Sequence, residues 1–231
     1  MSSSLNFLDV LRELDLPAGP KVAAAWREWA GQRGLLLPLE FLDALYLGAD
    51  GLLTEFSNAE PFCEPGELFE WNGFPVISLL WENQGNFVFG LYLNGQSPAP
   101  VLICHDVTRE QGRPVRPARW QPFAPEFTTF AFARLLDFQF LFNEVSEEAE
   151  WFFEDVPFTP QIEETLSQSF KRGPTTPHYY GDDKGVRYRF YRSGQRLTVS
   201  LTSELEPYWE ISAASRELFD ALHAEIRGLH A

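Results

Sequence analysis

The stretch Phe74-Pro75-Val76-Ile77-Ser78-Leu79-Leu80-Trp81-Glu82-Asn83-Gln84-Gly85-Asn86-Phe87-Val88-Phe89-Gly90-Leu91-Tyr92-Leu93 reads as two strands joined by a turn. Val76 to Trp81 is an apolar run. Phe87, Phe89, Leu91 and Leu93 then alternate with Val88, Gly90 and Tyr92, which is the two-residue period of a strand. Between them, Glu82-Asn83-Gln84-Gly85-Asn86 has the chemistry of a turn: Gly85 reaches positive φ without a Cβ clash, and the amide side chains can bond to the turn's own backbone. Val101 to Cys104, after a proline-containing turn, extends the pair into an antiparallel meander.

Helical periods lie on both sides of this meander. Leu5, Leu8, Leu11 and Leu14 recur at helical spacing. Pro20 to Gln32 opens with a proline where a helix accepts one and presents Val22, Trp26 and Trp29. Pro38 to Leu47 places Phe41, Leu42 and Leu45 on one face, with Gly48 just past its end. Downstream, Phe127 to Asn143 predicts a long aromatic-rich helix that must be buried on most sides and is expected to pack on the sheet. The remainder, from Glu144 to Ala231, predicts a helix over Thr159 to Phe170 and a hairpin turning at Ser193-Gly194. There Tyr188 and Phe190 alternate with Arg187 and Arg189, and Leu197, Val199 and Leu201 with Thr198, Ser200 and Thr202. That alternation predicts one solvated face. A strand around Tyr208 to Ile211 and a helix capped by Ser212, carrying Ala214, Leu218, Leu222 and Ile226, complete the chain.

These elements predict an α+β fold: a central antiparallel sheet flanked by the N-terminal helices and the aromatic helix, with a C-terminal extension of hairpin, strand and helix. No fixed-period repeat or long linker interrupts residues 1–231, so a single domain is expected, with 144–231 as its extension. Its 231 residues include 21 Phe, 7 Trp and 7 Tyr, far more apolar material than a disordered chain carries.

Charge narrows the function classes. The formal net charge is −15, so a phosphate backbone is repelled and no nucleic-acid partner is expected. No run approaches the ~20 apolar residues a membrane span requires, because Arg134 and Asp137 interrupt the most apolar region. Asp9, Arg12, Glu13 and Asp15 break up the opening residues, which predicts no export signal. With only Cys63 and Cys104, there is no disulfide framework, and cytoplasmic thiols are the expectation.

Catalytic motifs are absent from the sequence: no glycine-rich dinucleotide fingerprint, phosphate loop, His-Glu-x-x-His or nucleophile elbow. Cys104-His105-Asp106 groups three metal-ligand types, but neighbouring strand residues point to opposite faces and do not converge on one ion. No metal, cofactor or catalytic residue is expected. Arg109, Arg113, Arg116 and Arg119 read as a polar loop, because Pro114 and Pro117 preclude a helix that would align them.

The distribution of charge is more distinctive. Between Arg33 and Arg109 there is no Lys or Arg, while Glu55, Glu60, Glu64, Glu67, Glu70 and Glu82 all fall there. So one-sided a field speeds encounter with a basic partner and discourages others. Equally, acidic side chains can serve to keep an aromatic-rich protein dissolved.

The order Leu37-Pro38-Leu39-Glu40-Phe41-Leu42-Asp43-Ala44-Leu45, an apolar strand, Trp81-Glu82-Asn83-Gln84-Gly85 entering an aromatic strand, Pro100-Val101, and the Trp120 strand before an aromatic helix resembles the SUKH superfamily. These are the Smi/Knr-like proteins named after a fungal cell-wall-synthesis regulator. The resemblance covers residues 36–143 best, with Glu82, Asn83, Gln84 and Gly85 as its signature turn, and extends to Trp209 to Leu222. It implies an α+β fold and non-enzymatic protein binding, commonly as the immunity partner of a polymorphic bacterial toxin. Charge and resemblance together predict an acidic module that masks a basic toxin surface, with Glu55 to Glu82 as its contact face. Two readings stand beside it: an intracellular regulatory adaptor of the same fold, and a hydrolase using a carboxylate pair or a Cys-His pair that its sequence does not announce.

Overall fold

The computed structural model describes residues 7–13, 18–50, 65, 67–81, 87–105, 108–110, 113–115, 119–138, 156–177, 185–202 and 207–229. It is an α+β fold built on antiparallel sheets. The chain forms two compact units, Met1–Ala131 and Phe132–Ala231, a division that falls earlier than Glu144, where the sequence begins the expected extension.

The first unit begins with α1 (Phe7–Glu13), α2 (Pro20–Gly31) and α3 (Leu39–Tyr46). Its sheet contains β1 (Leu68–Trp71), β2 (Phe74–Trp81), β3 (Val88–Tyr92), β4 (Val101–Cys104) and β7 (Trp120–Ala124), in the order β1-β2-β3-β4-β7. A chain of rings ties the helices to it. Trp26 meets Phe41 at 5.0 Å and Phe41 meets Phe127 at 4.9 Å; Phe130 meets Phe89 at 4.9 Å, and Phe89 meets Phe123 at 4.8 Å. Edge-on and tilted contacts of this kind contribute roughly 0.5–1.5 kcal/mol each beyond their burial. The opposite face of the sheet is a second apolar cluster of Val76, Trp81, Val88, Tyr92, Leu102, Cys104 and Trp120.

Two segments differ from the sequence expectation. The sheet begins one strand earlier than Val76, because Asn72 at φ 51° and Gly73 at φ 79° turn the chain tightly and set Trp71 opposite Phe74. Asn-Gly is the pair best able to take positive φ at both central positions of a two-residue hairpin. The arginine-rich segment is not wholly loop: β5 (Thr108–Glu110) and β6 (Arg113–Val115) pair, with Arg109 opposite Pro114.

The division between units lies within α4 (Phe127–Phe138). The second unit continues with α5 (Pro160–Ser169), β8 (Lys171–Arg172), β9 (Thr176–Pro177), β10 (Val186–Arg192), β11 (Gln195–Leu201), β12 (Tyr208–Ala213) and α6 (Arg216–Gly228). Strands β12, β11 and β10 lie side by side, and β8 and β9 both pair with β10. One face of this sheet is apolar: Phe190, Leu197, Val199, Trp209, Ile211 and Ala213 pack with Ile162 and Leu166 of α5 and Phe219, Leu222 and Ile226 of α6. The Trp209 Nε1–H donates to the Val156 carbonyl at 3.0 Å, so the buried indole keeps a partner. Ser212 does not cap the last helix; it lies inside β12, and Ser215 Oγ accepts instead from the Leu218 N–H.

Candidate functional site

The sequence marks Glu55, Glu60, Glu64, Glu67, Glu70 and Glu82 as a contact face. Glu55, Glu60, Glu64 and Glu82 lie outside the described residues, as do Asn83, Gln84 and Gly85. Glu67 and Glu70 are described, and both are exposed, on the approach to β1 and within it. The Glu67 N–H donates to Ser78 Oγ at 2.7 Å, and the Glu67 carbonyl accepts from the Ser78 N–H at 2.9 Å. These bonds hold the Glu67 backbone against Ser78 of β2.

β1 ends the sheet order, and its two faces differ. Leu68 and Glu70 share one face. Phe69 and Trp71 share the other, where Phe69 meets Trp81 at 6.2 Å and Trp71 meets Tyr92 at 5.0 Å. Leu68 is 45% exposed and Phe74, at the start of β2, 44%. An edge strand with acidic and apolar groups open to solvent is a surface on which a second polypeptide can be held.

The thiol and imidazole groups are arranged differently. Cys104 is buried in the Val76–Trp120 cluster, whereas the His105 ring lies 6.0 Å from Phe87. Cys63, Asp106, His178 and His230 lie outside the described residues. His223, on α6, is partly buried; desolvation there, with Arg227 nearby, pushes its imidazole below the ordinary range, and Asp220 opposes this. Among the described residues, no group of three or more His, Cys, Asp or Glu is placed to hold a metal ion.

A polar constellation of another kind lies in the second unit, where the sequence predicts a solvated face. That face is buried: Arg187, Arg189, Thr198 and Ser200 are all enclosed. Asp137 of α4 accepts from Arg189 Nε at 2.8 Å and Nη2 at 2.7 Å, and from Arg187 Nε at 3.0 Å. Arg187 also donates to Ser200 Oγ at 2.9 Å and to Glu210, which accepts from Thr198 Oγ1 at 2.6 Å. Arg189 Nη1 donates to the Pro174 carbonyl and to Thr176 Oγ1, both at 3.0 Å, where the chain leaves β10 between β8 and β9. Burial alone would raise the Asp137 carboxyl, but Arg187, Arg189, the bond from Arg189 and the charge of Arg134 outweigh it and hold the group at about 2. Both carboxylate oxygens are taken up by guanidinium donors, the arrangement of a structural lock. The isolated charges Arg134 and Asp137 inside an aromatic helix were the signal that this face has charged company.

No family model, curated protein or solved structure matches this chain.

Proposed function

We propose that this chain is a non-enzymatic, acidic protein-binding module of the bacterial cytoplasm, an immunity protein that neutralises a polymorphic toxin by masking its basic surface. The observation that carries the reading is the exposure of Glu67 and Glu70 along an edge strand, within a stretch from Arg33 to Arg109 that holds no Lys or Arg. The second unit is consistent with it: Arg134, Arg187, Arg189 and Asp137 are buried, so these three cations are not on that unit's surface. The resemblance of residues 36–143 to the SUKH superfamily supplies the toxin-immunity context.

Co-purification from the native cell tests this reading. The expected partner is basic, toxic when produced alone and harmless when produced with this chain. Glu67→Lys with Glu70→Lys should slow association with it about tenfold at low salt and much less at high salt. A partner that is harmless when produced alone would instead make the chain a regulatory adaptor.

A further inference from the structure

The register of β1 on β2 determines which of its backbone groups face outward. Glu67 and Ser78 form a hydrogen-bonded pair. Counting from it, Phe69 opposite Val76 and Trp71 opposite Phe74 are bonded pairs, while Leu68 opposite Ile77 and Glu70 opposite Pro75 are non-bonded ones. Pro75 makes no bond to β1; its carbonyl faces the other way and accepts from the Leu93 N–H at 2.9 Å. The N–H and C=O groups of Leu68 and Glu70 therefore project away from β2. Both residues are exposed, and among the described residues β1 pairs with β2 alone.

Such an edge offers two donors and two acceptors to an incoming strand, flanked by Leu68 and Glu70 on one face and by Phe69 and Trp71 on the other. Charge decides the occupant. A second copy brought edge to edge would bring Glu67 and Glu70 close to their own counterparts, with a net charge of −15 on each chain. A cationic segment gains where a copy loses. We infer that β1 is the docking edge for an extended, basic segment of the partner protein, which adds as a further strand, bonds through its backbone to Leu68 and Glu70, and sets Lys or Arg side chains against Glu70. This inference rests on the binding reading above and adds the mode of engagement.

The test uses the full chain and a short synthetic peptide in which lysine and valine alternate. One counterpart has glutamate in place of lysine. Another has every backbone amide N-methylated, which keeps the charges and removes the donors. Binding of the lysine peptide should slow hydrogen exchange at the Leu68 and Glu70 amides about tenfold or more, and both counterparts should bind at least about tenfold more weakly. Glu70→Gln removes only the charge, whereas Glu70→Pro also removes an outward N–H without breaking a bond to β2. The proline variant should therefore bind more weakly than the glutamine variant and leave Leu68 unprotected. Equal binding by the N-methylated peptide, protection elsewhere on the chain, or concentration-dependent dimerisation abolished by Glu70→Pro would each overturn strand addition. So would a lysine peptide that fails to bind while the co-purified toxin still does, and that result would leave the masking function standing.

Discussion

Asp137 and Arg189 meet through two parallel bonds, Nε to Oδ1 at 2.8 Å and Nη2 to Oδ2 at 2.7 Å, with both side chains wholly buried. This fork-on-fork geometry, reinforced by Arg187 on the same carboxylate, fastens the C-terminal half of α4 to the polar face of β10. Removing one partner leaves buried guanidinium charge without its counter-ion, whereas replacing the whole set by apolar groups removes the desolvation penalty as well. Asp137→Asn should therefore destabilise the second unit by about 3–5 kcal/mol. Replacing Asp137, Arg187 and Arg189 together with Leu or Met should recover part of that loss, since Arg134 stays buried in the same cluster. Denaturant unfolding of the single and triple variants, followed by far-ultraviolet circular dichroism, measures both.

The same carboxylate sets an acid limit on stability. Its folded-state pKa is lowered from 3.8 to about 2, so the folded chain binds this proton less readily than the unfolded one. The resulting stabilisation, about 2 kcal/mol, is fully present above pH 4 to 5, declines as pH falls through the folded value near 2, and is absent below it. Unfolding midpoints of the wild type and Asp137→Asn should therefore converge as pH is lowered from 5 to 2, beyond the shared loss from other carboxylates. A constant gap over that range would show that Asp137 does not stabilise the fold through its charge.

The aromatic strand β3 and the helices before the sheet were legible because each repeats its apolar residues at the period of its own element, and β4 because its four residues form an unbroken apolar run. The second face of β10 and β11 was not. Period-two alternation shows that a strand has two faces, but not what covers the polar one, and Asp137 lies fifty residues before Arg187. β1 was missed for a different reason. Its four residues, Leu68-Phe69-Glu70-Trp71, are too few to show a period and hold a single acidic residue, and the decisive signal, Asn72-Gly73, lies outside the strand itself. Charge marked Glu67 and Glu70 only together with Glu55, Glu60, Glu64 and Glu82, and it is the register on β2 that places Glu70 at an outward-facing backbone position.

That turn yields a prediction of its own. Gly73 has φ 79° and an ideal Cβ there would meet nothing within 4 Å, so substitution strains the backbone without crowding neighbours. Gly73→Ala should destabilise the β1–β2 hairpin by about 1 kcal/mol, and Asn72→Val by a similar amount or more, because a branched side chain resists positive φ. Asn72→Gly should be nearly neutral. Amide exchange at Phe69 and Trp71, whose bonds close the hairpin, reports the loss locally before it shows in a global melt.

Gly90 presents the opposite case, a glycine required for space. It lies in the middle of β3, and a Cβ there would stand 2.4 Å from Val76 Cγ1 and 2.8 Å from Cη2 and Cζ3 of Trp120. The Trp120 indole thus lies directly against the sheet where β3 has no side chain, and it helps close the second apolar face. An added methyl must push Trp120 or Val76 out of a packed cluster, so Gly90→Ala should cost about 1–3 kcal/mol. The loss should couple to its neighbours: with Trp120→Leu or Val76→Ala already in place, the same methyl should cost less, giving an interaction energy of about 1 kcal/mol in a double-mutant cycle. Thermal and denaturant unfolding of the four proteins in each cycle measure it. Strict additivity would mean that the close approach of Trp120 and Val76 to Gly90 is not what excludes a side chain there.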